Sequence, residues 1–291
     1  MPLAIFAVLV LGAFLAPVVY VVYLVESDVL ATRPRSVVAT FVLAALLGIP
    51  VASILEAFVF HFDANTAGGA VGIAATEELL KLLGVVWLLG RSSARFRMDG
   101  VVFGAAAGMG FAAFETLLFG ASNLDRLDAL LKTVGLRSLL APLGHGTWTA
   151  IVCATIWSER NRGRLIGPGV LGAFALATGL HALWDWQPLA LMFPAYALPA
   201  DVVWFLAIGA LGILALRAIV HRATTEELSS IIALNPELAS PRRRDAPRIA
   251  CHRCGQIAPA GAHYCVRCGA ALRAPSRDRA LTESDPATVT P

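Results

Sequence analysis

The sequence predicts an all-α fold: a polytopic membrane bundle of about seven transmembrane helices, followed by a small cytoplasmic zinc ribbon. Three observations lead there. The chain has 291 residues, of which 57% are hydrophobic and only 15% charged, a balance typical of integral membrane proteins rather than soluble domains. Apolar runs of about twenty residues recur near 2–25, 37–60, 68–90, 100–121, 138–157, 167–187 and 199–219, each long enough to cross ~30 Å of hydrocarbon at ~1.5 Å per residue. The charged residues crowd into short loops and the C-terminal region, where a C-x2-C-x10-C-x2-C pattern stands. The expected organisation is a seven-span domain over 1–220, a juxtamembrane linker over 221–250, the ribbon over 251–272 and a disordered tail over 273–291. The net charge of +3 says less than its distribution.

The first run has no Lys or Arg before it and no small-residue cleavage site after it, so it reads as a retained span and scaffold. The second carries Glu56 near its outer end, followed by His61 and Asp63; a glutamate one turn from the interface ordinarily reaches water. The third contains T-E-E-L-L-K at Thr76–Lys81, three ionisable groups inside one span. An isolated charge at the bilayer centre costs roughly 3 kcal/mol on insertion scales, so such groups face a protein interior and usually have a task. On a helix Lys81 lies i+4 from Glu77 and i+3 from Glu78, able to neutralise either carboxylate but not fully both. One carboxylate is then left as a candidate base.

The fourth run places Gly104, Gly108 and Ala112 at small-xxx-small spacing, which lets a neighbouring backbone approach closely, and then delivers Glu115. The fifth carries Gly144-His145-Gly146, and Cys153 as a small core residue. In the sixth, His181 and Asp185 share a helical face at i, i+4. After the seventh, T-T-E-E-L-S-S reads as the start of a short surface helix, and Pro241–Arg248 as a basic linker facing anionic lipid.

Basic residues orient the bundle. Arg33, Arg35, Arg91, Arg95, Arg97, Arg160, Arg162 and Arg164 fall on one side and outnumber Arg126, Lys132 and Arg137 on the other. The positive-inside rule therefore puts the N-terminus outside and the C-terminus in the cytoplasm of a cell-membrane protein. Counting inward from the outer end, Glu77, Glu115, His145 and His181 all lie ~9–12 Å deep at ~1.5 Å per residue. Scattered packing residues have no reason to agree in depth, whereas a shared polar cavity requires it.

Carboxylates and imidazoles in a low-dielectric pocket are the parts for activating water, with a histidine serving the oxyanion directly or through a metal. The chain lacks H-E-x-x-H, G-x-G-D and G-x-S-x-G. The ordered set E-E-L-L-K, G-F-A-A-F-E, a histidine in the next span and H-A-L-W-D, over Gly69–Trp186, resembles the PrsW family of intramembrane proteases. The resemblance extends to the wider superfamily that includes the CAAX-processing proteases. It implies site-1-type cleavage of membrane-anchored substrates such as anti-sigma factors. By that resemblance Glu77 is the base, Glu78 its partner braced by Lys81, and Glu115, His145, His181 and Asp185 complete the catalytic pocket; whether a catalytic metal takes part stays open.

Cys251, Cys254, Cys265 and Cys268 supply four thiolates in two knuckles, the ligand set of a structural Zn²⁺, in a segment too short to fold around a core of its own. A cytoplasmic position keeps them reduced. The ribbon is a candidate docking module for a protein partner; the bilayer and a membrane-anchored substrate are the other partners, and no nucleic acid is expected. Two other classes fit parts of the pattern. A proton-coupled transporter also buries Glu, Lys and His, but no internal repeat or pair of interrupted spans accompanies them here. A haem protein ligated by His145 and His181 would tolerate the glutamates poorly.

Overall fold

The structure is a computed structural model that describes residues 3–28, 34–63, 65–89, 96–188, 192, 197–234, 248–259, 268 and 272. Arg33, Arg91, Arg95, Cys265, most of the basic linker and the whole tail lie outside those residues. The chain divides into two compact units, 1–230 and 231–291.

The first unit is helical: α1 (Leu3–Ser27), α2 (Pro34–Ile54) running into a π-helical turn (Leu55–Val59), α3 (Ala67–Leu89), α4 (Arg97–Ala121), α5 (Leu127–Leu140), a 3-10 turn (Ala141–Leu143), α6 (His145–Arg160), α7 (Pro168–Trp186) and α8 (Ala197–Leu234). Helix α4 is the axis, packed against α1, α2, α3, α5 and α6. Its glycines explain why. A Cβ on Gly100 would come 2.7 Å from the Cys153 carbonyl oxygen, and one on Gly104 2.6 Å from that of Thr149, while Gly108 abuts the backbone of His145. On the opposite face Gly110 meets the Phe41 backbone of α2. The small-residue stripe thus begins one turn earlier than the sequence pattern placed it, and it serves backbone-to-backbone contact. Cys153 is fully buried in that seam, a core residue as expected.

Among the described residues five stretches are long and apolar enough to cross a membrane: Leu3–Ser27, Pro34–Val59, Arg97–Ala121, Leu127–Arg160 and Pro199–Ile232. Helices α3 and α7 stand where the third and sixth of the seven expected spans were placed, yet fall outside that set. They are the two loaded with Glu77, Glu78 and Lys81 and with His181 and Asp185, whose polarity is turned inward.

Two expected spans differ in form. The fifth is not one continuous helix, because Pro142 and Gly144 break the chain between α5 and α6, and His145 occupies the first turn of α6 instead of mid-span. An interrupted span is therefore present where none was anticipated. The seventh does not stop before a separate surface helix. Thr224 and Thr225 donate their hydroxyls to the carbonyls of Val220 and His221, at 3.0 and 2.8 Å, so they continue α8 instead of capping a new helix.

In the second unit β1 (Arg248–Ala250) pairs antiparallel with β2 (Ile257–Pro259). The turn between them is closed by Gly255, at φ +70°, whose N–H donates to the Cys251 carbonyl at 2.9 Å. Glycine adopts that left-handed conformation without steric cost.

Candidate active site

The residues singled out from four separate runs converge on one buried cluster. Lys81 on α3 extends its ammonium between Glu77 Oε2 (3.1 Å), Glu78 Oε1 (2.8 Å) and Nδ1 of His145 on α6 (2.8 Å). It therefore engages both carboxylates and a histidine, where spacing alone suggested one carboxylate would be left over. An ammonium has three N–H groups, and the start of α6 brings a third acceptor to them. The charge also lies 4.4 Å from the centre of the Phe111 ring, from the G-F-A-A-F-E stretch of α4.

Glu78 is fully enclosed. Its Oε1 faces Lys81 and His181 Nδ1 (3.1 Å), and its Oε2 accepts from the Thr149 hydroxyl of α6 (3.0 Å). Glu77 is the member of the pair that reaches open space, lining a cavity together with Glu56 and Glu115. Glu115 on α4 is ion-paired with Arg137 of α5 (2.6 Å) and approaches His145 Nε2 (3.3 Å). Asp185 lies 3.4 Å from His181 Nε2, so the two ring nitrogens of His181 face different carboxylates. Glu78 faces the His181 ring from behind, a contact the i, i+4 spacing of His181 and Asp185 does not reveal. The rings of His145 and His181 meet edge to face with centroids 4.8 Å apart, against Trp148 of α6, which walls the cluster and is itself fully buried.

One ligand atom each of Glu77, His145 and His181 lie mutually within 4.8 Å. His145 Nδ1 and His181 Nε2 are 3.9 and 3.6 Å from Glu77 Oε2. Each histidine turns its other nitrogen to a carboxylate, Glu115 and Glu78 respectively, the outer-shell arrangement that fixes metal-ligating imidazoles. Two imidazoles and a carboxylate form the donor set of catalytic zinc centres, in which bonds of ~2.0–2.2 Å leave a fourth position open. The donor set fits a divalent metal once the Lys81 ammonium, which here donates to both His145 Nδ1 and Glu77 Oε2, swings away from those two atoms.

The sequence reading missed Arg137, Thr149, Trp148 and Glu56. Arg137 had been assigned to an outer loop, but it lies on α5 with its guanidinium 4.3 Å from the Phe119 ring centre and against Glu115. Thr149 had a readable signal, one helical turn beyond His145. Glu56 had been placed at the water interface, yet it faces the same cavity as Glu77. A second cavity of about 470 Å³ flanks the cluster on its other side, between α4, α5, α7 and α8, and reaches His145, Arg137 and Asp185.

In the second unit Cys251, Cys254 and Cys268 converge as a group able to hold a metal, with the Cys251 and Cys268 sulfurs 3.6 Å apart. The fourth cysteine of the pattern, Cys265, lies outside the described residues.

Residues 32–216 match the family described as PrsW family intramembrane metalloprotease. No curated protein and no solved structure matches the chain significantly. The matched stretch begins two residues before α2 and ends within α8, and so takes in Glu77, Glu78, Lys81, Glu115, His145, His181 and Asp185. With most of the chain covered by that match, this protein belongs to the PrsW family of intramembrane metalloproteases.

Proposed function

We propose that this chain is an endopeptidase that hydrolyses a peptide bond of a membrane-anchored protein, of the anti-sigma-factor kind, at the cluster built on Glu77, His145 and His181. The observation that carries this reading is the convergence of those three side chains from α3, α6 and α7, each histidine braced from behind by a carboxylate. Glu77 takes a proton from water; the water oxygen bonds the scissile carbonyl carbon, the C–N bond breaks and the proton passes to the leaving amine. Polarising the carbonyl oxygen as negative charge develops on it falls to His181 through Nε2, while His145, engaged by Lys81 and Glu115, holds the Lys81 ammonium in place. Lys81 and Glu78 hold the Glu77 side chain in place, and Asp185 steadies His181 at the edge of the pocket.

A second reading is favoured by the donor spacing. Glu77, His145 and His181 would hold a divalent metal, which when bound supplies Lewis-acid polarisation of water and carbonyl. Cleavage by Glu77→Gln, His181→Ala and wild-type protein at equal membrane abundance tests the site. The expected loss for Glu77→Gln is about 10²–10⁴-fold; full activity would remove Glu77 from the chemistry. Metal content of the same preparations separates the readings, since a ligand role requires that Glu77→Gln lose metal and activity together.

The proposed orientation has the N-terminus outside and the C-terminus in the cytoplasm, on the asymmetry of basic residues. Reporter fusions after Arg97, Arg164 and Arg222 should all read cytoplasm. An external signal from any of them contradicts it.

A further inference from the structure

Two cavities flank the cluster, and they differ in character. The one between α2, α3 and α4 holds about 350 Å³, room for roughly ten waters at their liquid volume. It carries Glu56, Glu77, Glu115 and Ser53, and it extends to Ser122, the residue that ends α4. The other, beside α5, α7 and α8, has apolar walls from Ala129, Leu136, Leu140, Val202 and Phe205, carries Lys132 and Asp201 as well, and touches the cluster at His145 and Asp185.

Glu56 has no place in the chemistry so far described. It sits in the π-helical turn Leu55–Val59, closed by a Phe60 N–H to Leu55 carbonyl bond of 2.8 Å. Such turns widen a helix locally and recur at functional sites. Its Oε1 is buried with no hydrogen-bond partner among the described residues, whereas Glu78 and Glu115 are held by Lys81, Thr149, His181 and Arg137. A buried acceptor left unmade is unfavourable, and two ionised carboxylates cannot satisfy one another. The donor that completes Glu56 must come from the cavity.

We propose that the two cavities divide the reactants: water reaches Glu77 through the α2–α3–α4 cavity, where Glu56 is a water-positioning residue, and the substrate peptide enters from the α5–α7–α8 side. This rests on the protease reading. Water offers two donors and passes between carboxylates by exchange of hydrogen bonds. The opposite cavity is the roomier of the two and offers apolar walls for substrate side chains, with Lys132, Arg137, Asp185 and Asp201 among them to meet polar groups of a peptide.

The test compares steady-state cleavage of a membrane-anchored substrate by full-length wild type, Glu56→Gln, Glu56→Met and Ala129→Phe, with melting temperatures of each. Both Glu56 variants are expected to lower kcat about 10–100-fold, the range for a group that orients a reacting species, while KM stays within about twofold. Their melting temperatures stay level or rise, because no internal hydrogen bond is removed. Ala129→Phe, which fills the opposite cavity, is expected to raise KM with kcat kept. Unchanged kcat in Glu56→Gln, or a loss matched by lowered melting temperature, overturns the role of Glu56. A kcat effect without a KM effect in Ala129→Phe overturns the division. An independent measurement does not need activity. Ala52 is buried, lines the same cavity and lies one turn before Glu56. Ala52→Cys should react with a water-soluble thiosulfonate, read at that site by peptide mapping. Absence of reaction excludes the water route even if the wild type cleaves, whereas reaction in a chain that cleaves nothing keeps the route and rejects the protease reading.

Discussion

The Thr149 hydroxyl donates to Glu78 Oε2 across 3.0 Å, joining α6 to α3 between two fully buried side chains. That bond, with Lys81 and His181 on the other oxygen, gives the two adjacent glutamates unlike surroundings: Glu78 is enclosed by partners and Glu77 faces a cavity.

Thr149→Val should therefore leave Glu78 Oε2 buried without a donor and destabilise the bundle by about 1–3 kcal/mol. Glu78→Gln should lower the thermal midpoint more than Glu77→Gln does. Melting of the two purified variants decides the matter, and equal midpoints would argue against unlike surroundings.

The contact between α4 and α6 supplies another expected outcome. Gly104→Ala places a methyl 2.6 Å from the Thr149 carbonyl and 2.7 Å from the Ala150 Cα, both backbone atoms that cannot rotate away. The helices must separate, at a cost of about 1–3 kcal/mol or more, and Thr149 moves with them. Gly84→Ala on α3 meets nothing closer than 3.8 Å and should be neutral. Expression and melting of the pair check this, with Gly84→Ala as the control.

The C-terminal cysteines call for a metal measurement. A ribbon zinc held by Cys251, Cys254, Cys265 and Cys268 predicts that Cys251→Ser lowers bound zinc by one equivalent per full-length chain while cleavage continues. Retained zinc would refute the ligand assignment. Lost cleavage in correctly inserted protein would mean that the ribbon is needed for catalysis.

Much of the membrane unit was legible because its signals are local or periodic. Runs of apolar residues give helices of a length set by rise per residue, and i, i+3, i+4 spacing placed Lys81 beside its glutamates. Depth could be counted along each run, which is why Glu77, Glu115, His145 and His181 were grouped before any contact was known. Where the reading failed, the cause was a choice between local alternatives that only neighbours settle. Pro142 and Gly144 are as compatible with ending a span as with sitting inside one, and Thr224 with capping a helix as with bonding back to Val220. Arg137 looked like a loop charge because nothing nearby in sequence offers it a partner; that partner, Glu115, comes from another helix.

The sequence by itself determined an apolar helical bundle and the polar groups buried in it, because burial energy and helix geometry act along the chain. Only the tertiary structure decided which carboxylate each histidine faces, that Lys81 meets three partners, and that Glu77 rather than Glu78 lines a cavity. Those depend on how α3, α4, α6 and α7 approach one another. Side-chain partners within about 4 Å are set by helix crossings and by backbone contacts such as Gly104 against Thr149, for which no single stretch of sequence carries a signal.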